Sequence, residues 1–326
     1  RHDHPLASLR NALNTKAEDV FESLPLARPF DEGTAAINRT ILRETRQTDG
    51  AGRRDERGQT DETGSEPWFV FANYMEAHTP HRPVRGYDSS LYDAPARWSS
   101  FDLDTDELTR RRRASEPLTD EQQTDVGHFR DLYAASVDYL DREIATTIEQ
   151  LRAESVEETM VVVTADHGEN LFLADDEDVW GHTASMSEGL LHVPFLVIGG
   201  PEWLRTDPPD FFSHLDLPAL VDNVLAGREE WPTRERIPAE LVGGGVDVPE
   251  TDRDFFDRAI RVVYDDPDTK WEWDSLGNRN RDDWDDSVDD CFAEDIVTMK
   301  ARAREAAESV ELTDAARSRL EELGYV

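Results

Sequence analysis

The chain has 326 residues, with 72 Asp and Glu against 35 Lys and Arg, so its formal net charge is −37 at pH 7. Nucleic acid and anionic membranes are poor partners for this composition, because phosphate binding needs clustered Lys and Arg side chains. The acidic residues are spread along the whole chain, a pattern typical of proteins that stay soluble in a high-salt environment, where charge repulsion is screened.

One cysteine, Cys291, provides neither a disulfide framework nor a thiolate metal site by itself. No stretch approaches the length of a membrane span, and no signal peptide is visible. Because the chain begins with Arg1 and not with Met, a processed, trimmed or partial chain is expected. The location stays open for the same reason, with the cytoplasm favoured.

The first part of the chain predicts helices with breaks. Asp31 to Arg46 is expected to form a helix that carries Ile37, Ile41 and Leu42. Residues 46–66 are dense in Gly, Asp, Arg and Thr, with one Ala as their only apolar residue. They predict an exposed loop or a disordered insertion.

The first convincing strand is predicted at Pro67–Tyr74, which is nearly all apolar and aromatic. It leads directly into a segment with two histidines, His78 and His81, and two prolines. A rigid turn of this kind after a buried strand would present imidazoles at the sheet edge. A proline-rich surface loop with incidental histidines is an equal alternative.

Residues 84–123 are rich in loops and contain the only concentrated basic feature, Arg110–Arg113. This run could bind an anionic substrate, although a solvated helix face is favoured. Asp125–Arg152 then predicts an amphipathic helix. Its core-facing residues recur at steps of three and four: Phe129, Leu132, Tyr133, Ser136, Val137, Leu140, Ile144, Ile148 and Leu151.

Met160–Thr164 is a β-branched run that predicts a strand buried on both faces. Asp166 and His167 follow it, at the edge where open parallel sheets place their ligands. His182 comes later, and Leu190–Ile198 predicts the next buried strand. Asp and neutral His are natural ligands for a divalent cation. The alternative is that Asp166 caps a helix and His167 lies on the surface.

The C-terminal part predicts a helix at Ala219–Leu225 that ends at Gly227, and a subdomain boundary within Trp231–Pro249. Ala259–Tyr264 and Thr269–Trp273 alternate in residue type across an Asp-Asp-Pro-Asp turn, which predicts a hairpin with one solvated face. Two further helices are predicted, at Ala293–Ala307 and Thr313–Leu323.

In this order the motifs resemble the C-terminal part of the sulfatase family, within the alkaline phosphatase superfamily. The resemblance covers residues 67–326, and no single motif would be specific without the others. The motifs are His78-Thr79-Pro80, Asp138-Tyr139-Leu140-Asp141, Thr164-Ala165-Asp166-His167-Gly168-Glu169, Trp180-Gly181-His182-Thr183, Val193-Pro194-Phe195, Ser213-His214-Leu215-Asp216 and Arg319-Leu320-Glu321-Glu322-Leu323-Gly324-Tyr325.

The resemblance implies an α/β fold, an alkaline-phosphatase-like mixed sheet flanked by helices. Residues 1–232 would be the C-terminal portion of the catalytic α/β domain, with the insertion at 46–66. Residues 233–326 would form a smaller α+β subdomain that contains the hairpin and the terminal helices. Early strands of the family's sheet are expected to be missing from the chain.

The resemblance also implies a single divalent cation, usually calcium in sulfatases, with manganese, magnesium or zinc as other candidates. Asp166 and His167 match metal ligands of the family. His78 matches the histidine that contacts the sulfate ester, and His182 matches a basic position facing the sulfate or the leaving oxygen. His81 and Glu169 are weaker candidates, Glu169 as a supporting or helix-start carboxylate.

One departure from the family pattern concerns the nucleophile. The family's aspartate pair and its Cys-x-Pro-Ser-Arg or Ser-type signature have no counterpart here. A truncated chain that does not turn over substrate is therefore expected. The leading hypothesis is a metal-dependent sulfate ester hydrolase acting on a sulfated small molecule or glycan. The alternatives are a phosphomonoester or phosphodiester hydrolase acting on phosphorylated counterparts, and a non-catalytic interaction protein. The oligomeric state is open.

Overall fold

The structure is a computed structural model that describes residues 31–50, 68–153, 159–173, 176–206, 208–243, 253–278, 286–295 and 298–299. The chain divides into two compact units. The first comprises Arg1–Leu103 and Thr119–Val156, and the second comprises Asp104–Leu118 and Glu157–Val326. A short segment flanked on both sides by the first unit therefore belongs to the second.

The helices of the described residues are α1 (Thr34–Gly50), α2 (Thr105–Arg113), α3 (Asp120–Ala153), α4 (Glu188–Leu191), α5 (Leu217–Leu225), α6 (Arg253–Phe256) and α7 (Asp286–Asp289). The strands are β1 (Met160–Thr164), β2 (Phe195–Gly199), β3 (Ile237–Leu241), β4 (Ile260–Asp266) and β5 (Thr269–Asp274). Short 3₁₀ turns lie at Ser100–Asp102, Glu202–Arg205 and His214–Asp216.

Two long helices, α1 and α3, pack against each other in the first unit. Asp31 caps α1: its carboxylate accepts the backbone N–H groups of Gly33 and Ala35, and the Tyr139 hydroxyl of α3 at 2.7 Å. The prediction of α3 is confirmed, with one more turn at its N-terminus. Its buried stripe is narrower than predicted, because Val137 is exposed.

The strand predicted at Pro67–Tyr74 is wrong over residues 68–74, which form no strand. Phe69 and Phe71 are 83% and 82% exposed. A β-prone sequence becomes a strand only where a neighbour completes the hydrogen-bond ladder. Among the described residues no strand pairs with this segment.

In the second unit β1 is confirmed, but its surroundings differ from the prediction. It pairs antiparallel with β2, from Met160↔Gly199 to Thr164↔Phe195, and it is only partly buried. The predicted strand Leu190–Ile198 is wrong over its first half, where Leu190 and Leu191 belong to α4. Pro194 lacks an N–H and restricts the residue before it, which explains why the strand begins at Phe195.

The second sheet has the antiparallel order β3–β4–β5. The predicted hairpin of β4 and β5 is confirmed, but its face is less solvated than predicted. Arg261 on β4 is buried and pairs with Glu240 on β3 at 3.2 Å, while its guanidinium lies over Phe292. The described architecture is therefore mixed α/β with two small antiparallel sheets.

The structure confirms one of the remaining predictions fully and tests others only in part. The helix predicted at Ala219–Leu225 is confirmed as α5, and Gly227 ends it with a φ of +66°. Residues 46–50 of the predicted loop belong to α1, and 51–66 lie outside the described residues. Of the predicted helix Ala293–Ala307, residues 293–295 are bent or irregular and 298–299 are helical. The rest of that helix and Thr313–Leu323 lie outside the described residues.

The domain boundary predicted between residues 232 and 233 falls inside the second unit and stays a prediction. The alkaline-phosphatase-like sheet stays a prediction as well. Among the described helices, none is both long and apolar enough to cross a membrane.

Candidate active site

The Asp-His-Gly-Glu segment after β1 forms a tight turn and not a helix. Gly168 donates its N–H to Leu190 O at 2.9 Å, and a Cβ at Gly168 would lie 1.9 Å from Gly189 O. Only glycine fits here, since the turn passes so close to the backbone of α4. No helix begins at this turn. The alternatives that Asp166 caps a helix and that Glu169 starts one are therefore wrong.

Asp166 and His167 form a pair at this turn. The Asp166 side chain is 86% exposed, and its Oδ1 accepts the His167 N–H at 3.0 Å. His167 Nδ1 lies 2.7 Å from Gly168 O, so it must carry the proton that this carbonyl accepts. The ring is thereby fixed with Nε2 3.8 Å from Asp166 Oδ2. A carboxylate oxygen and an imidazole nitrogen thus lie side by side.

Glu169 and His182 form a second pair. His182 Nδ1 donates to Glu169 Oε2 at 3.1 Å, and the Glu169 side chain is only 6% exposed. The hydrogen bond to this carboxylate, opposed by partial burial, raises the pKa of His182 above its ordinary value. Gly181 has a φ of +69°, and a Cβ there would press on Glu169 Oε1 at 3.3 Å. The backbone before His182 is therefore shaped around the carboxylate.

The two pairs come together through their imidazoles. The rings of His167 and His182 are in contact at a tilt, with centroids 4.3 Å apart and planes inclined by 36°. Asp166, His167, Glu169 and His182 thus make one cluster, although fifteen residues separate the two histidines in sequence. Glu169 was a weak candidate from sequence. Its contact with His182 gives it a definite place in the cluster.

His214 belongs to the Ser-His-Leu-Asp motif, and the structure places it beside the same strand end. Thr164 Oγ1 donates its single proton to Pro194 O at 2.8 Å, so His214 Nε2 must be the donor in its 2.8 Å contact with Thr164 Oγ1. The only sequence signal for this residue is the Ser-His-Leu-Asp motif. That motif also supplies Asp216, which accepts hydrogen bonds from Arg234 with both carboxylate oxygens.

His78 belongs to the first unit, whereas the cluster belongs to the second. The predicted turn is present: His78 N donates to Met75 O at 3.0 Å, and the Thr79–Pro80 peptide is cis. His78 Nδ1 donates to Thr79 O at 2.6 Å. The turn thus fixes the tautomer of this half-buried imidazole.

His81, the weaker candidate in the same turn, is only 3% exposed. Its ring meets Phe129 and Tyr133 edge-on, with centroids at 4.8 and 5.6 Å. Burial, with a smaller contribution from the charge of His78, lowers the pKa of His81 to about 3. His81 therefore lies in the core of the first unit, as a neutral ring.

A divalent cation would find two suitable donors at the turn, Asp166 Oδ2 and His167 Nε2. Hydrogen bonding of the other imidazole nitrogen to a carbonyl is the usual way in which a ligating histidine is oriented. Across the described ranges, however, no group of three or more His, Cys, Asp or Glu side chains is placed to hold a metal ion. The chemistry of these two donors fits a cation, but two donors are fewer than a hard cation takes.

The arginine run lies on α2, within the second unit. Arg110 and Arg111 pair with Glu107 of the same helix. Arg112 Nε lies 3.0 Å from Asp178, and the Arg113 guanidinium covers the Phe255 ring at 3.3 Å. Arg112 and Arg113 thus contact residues outside α2, while Arg110 and Arg111 pair with a residue of the helix itself. Arg110 and Arg113 remain exposed, which agrees with the favoured solvated helix face.

Comparison with known families agrees with these motifs. The family model described as Sulfatase matches residues 55–221, just over half of the chain. That span includes the turn at His78, β1 and the whole His167–His182 cluster. No curated protein matches the chain. The chain therefore belongs to the sulfatase family, and at the level of that family its function is that of a sulfatase-like hydrolase.

Proposed function

We propose that the chain contributes to the active site of a metal-dependent hydrolase of sulfate esters. The observation that carries the proposal is the cluster in which the pair Asp166–His167, at the end of β1, meets the pair Glu169–His182 through the two imidazole rings. We also propose that an alkaline-phosphatase-like sheet is the scaffold that carries this cluster. A sulfated small molecule or glycan is the proposed substrate.

Asp166 and His167 would hold the cation, with calcium proposed first because a carboxylate oxygen suits a hard ion. When bound, a divalent cation polarises the ester oxygens. Calcium takes about six to eight ligands. The remaining donors would come from water, the ester and other parts of the protein.

His182 would act on the ester itself. The Glu169 carboxylate fixes its ring through Nδ1, so the opposite nitrogen, Nε2, is the atom that would meet an ester oxygen. A hydrogen bond there stabilises the charge that develops on the transferring group or on the leaving oxygen. His78 enters the proposal through its match to the family motif, as a second contact to the sulfate.

The cation part of the proposal is tested by calorimetry in molar KCl, with calcium and manganese titrated into the chain. Binding should be lost in Asp166→Ala and retained in Asp210→Ala, which removes an exposed carboxylate elsewhere in the second unit. Equal binding by wild type and Asp166→Ala, or no binding by either, would overturn the assignment of the ligands.

The ester part is tested with an aryl sulfate and the matching aryl phosphate, following cation-dependent binding, because the chain is expected not to turn over substrate. Preference for the sulfate, weakened in His182→Ala, supports a sulfate ester site. Preference for the phosphate would replace the proposal with a phosphoester hydrolase of the same superfamily. Binding of neither ester would favour a non-catalytic member of the family.

A further inference from the structure

The backbone around His182 is held by contacts on several sides. Val179 and Ala184 are fully buried and pack with Phe255 and Phe256 of α6. Gly181 N donates to Asn170 O at 3.3 Å, and Arg258 donates to Ala184 O at 3.0 Å. The segment Val179–Ala184 is therefore a supported frame, with the imidazole of His182 projecting from it.

α2 supplies the support on the N-terminal side of His182. Thr109 Oγ1 accepts the backbone N–H of Trp180 at 3.1 Å, and both residues are buried. Trp180 is two residues before His182. Because a buried N–H needs an acceptor, the Thr109 hydroxyl fixes where the backbone lies at this point.

Arg112, on the same helix, holds the loop that precedes Trp180. Its Nε lies 3.0 Å from Asp178 Oδ1, an ion pair without the alignment of a hydrogen bond. Its guanidinium is 5.9 Å from the Phe172 ring, which packs on Trp180 at 4.9 Å. One arginine thus contacts both ends of the loop between Glu169 and His182.

The same loop contains three residues with left-handed backbone. Phe172, Glu177 and Asp178 have φ of 56°, 53° and 56°. Residues other than glycine adopt this conformation uncommonly, a bulky residue such as Phe172 least of all, and such strain concentrates at functional sites. Asp178 is itself the ion-pair partner of Arg112, so α2 contacts this strained path.

We propose that α2 is a positioning element of the active site, in which Thr109 and Arg112 fix the loop that places His182. The role in catalysis rests on the proposed function, whereas the effect on the loop can be measured without it. Within the arginine run, Arg112 contacts the loop and Arg113 contacts Phe255 of α6, so these two side chains link α2 to other parts of the second unit.

The test compares Thr109→Val, which keeps the shape but removes the acceptor, with Thr109→Ser, which restores it. Thr105→Val is the matched control, one turn earlier on α2. Hydrogen exchange of the Trp180 amide should become on the order of tenfold faster in Thr109→Val, since a buried N–H loses its partner. The ¹⁵N shifts of the His182 ring should move with it. Thr109→Ser and Thr105→Val should behave as the wild type does.

Wild-type exchange at Trp180 and unchanged His182 shifts in Thr109→Val would overturn the proposal. If Thr109→Val does not fold, Arg112→Ala replaces it with Arg110→Ala as control, and unchanged His182 shifts in Arg112→Ala would overturn it equally. If Thr109→Val changes the exchange at Trp180 in a chain that binds neither cation nor ester, the positioning of His182 is supported and the proposed function is rejected. Where ester binding is present, it should weaken in Thr109→Val and recover in Thr109→Ser.

Discussion

Two histidines three residues apart, His78 and His81, lie in very different surroundings. His78 is half-buried in the turn and donates to Thr79 O, whereas His81 is enclosed by Phe129 and Tyr133 of α3. In the described residues His81 Nε2 has no hydrogen-bond partner. The rings of Phe129 and Tyr133 are nearly perpendicular to the imidazole, and an aromatic ring offers an imidazole nitrogen only a weak contact. Protonating His81 would therefore place an uncompensated charge in the core.

The first prediction follows from this burial. The pKa of His81 falls from its ordinary value of 6.5 to about 3 on folding, so between these values the unfolded chain binds a proton that the folded chain does not. Above pH 6.5 His81 is neutral in both states and does not change the free energy of unfolding. As the pH falls below 6.5 the folded protein loses stability, because only the unfolded chain takes up the proton. His81→Phe should remove this loss, which amounts to about 1.4 kcal/mol in the free energy of unfolding per pH unit.

The measurement is urea unfolding of wild type and His81→Phe at pH 7, 6 and 5 in the same salt. The difference between the two proteins isolates His81 from the many carboxylates that also titrate. A difference in unfolding free energy that stays constant with pH would show that His81 is not buried as a neutral ring.

At the scale of one residue the sequence singled out chemical groups, and the structure adds their surroundings. Asp166, His167 and His182 are singled out by motif, but the ring contact between His167 and His182 could not be foreseen, because it depends on how the loop between them closes. The burial of His81 depends on α3, about fifty residues further along the chain. The contact of Thr109 with Trp180 spans 71 residues and has no sequence signal.

At the scale of elements, local pattern predicted what depends on local interactions. α3 follows from its helical period, and the hairpin of β4 and β5 follows from its turn. Residues 68–74 show the limit of this reasoning. Their composition favours a strand, but a strand needs a neighbour, and composition carries no information about neighbours. The antiparallel pairing of β1 with β2 was missed for the same reason.

A second prediction concerns two glycines in contrasting elements. Gly168→Ala should destabilise the second unit by about 1–3 kcal/mol or more, because the new Cβ would meet the backbone oxygen of Gly189. Gly127 lies inside α3 with nothing within 4 Å of an added Cβ. Gly127→Ala should stabilise the first unit by about 0.5–1 kcal/mol, since alanine loses less backbone entropy in a helix.

Denaturant unfolding of both variants checks this pair. Cation binding should also weaken in Gly168→Ala and remain unchanged in Gly127→Ala. A Gly168→Ala protein with wild-type stability would mean that the turn does not approach α4 as closely as the structure shows.

At the scale of the whole molecule the dominant feature is the charge of −37. Like charges repel most strongly in the compact state, and dissolved salt screens them. A third prediction is that the unfolding temperature rises with KCl, and that most of the rise is complete by ~1 M, where the screening length is already ~3 Å. An increase of ~1 kcal/mol in the free energy of unfolding would raise the unfolding temperature by ~2–4 °C.

Thermal unfolding between ~0.1 and ~3 M KCl checks this expectation. A rise that continues steadily above ~1 M would assign the effect to ion binding or to strengthened apolar burial. No rise at all would contradict the view that charge repulsion limits the stability of this protein.

The membership of residues 104–118 in the second unit also affects how the protein can be made. During synthesis α2 leaves the ribosome long before its partner Trp180, 71 residues later, so this support cannot form until the loop has been translated. The chain passes from one unit to the other after Leu103, Leu118 and Val156. An expression fragment that starts at residue 157 would therefore lack α2. Fragments for separate study of the second unit should carry residues 104–118, joined by a linker or supplied as a peptide.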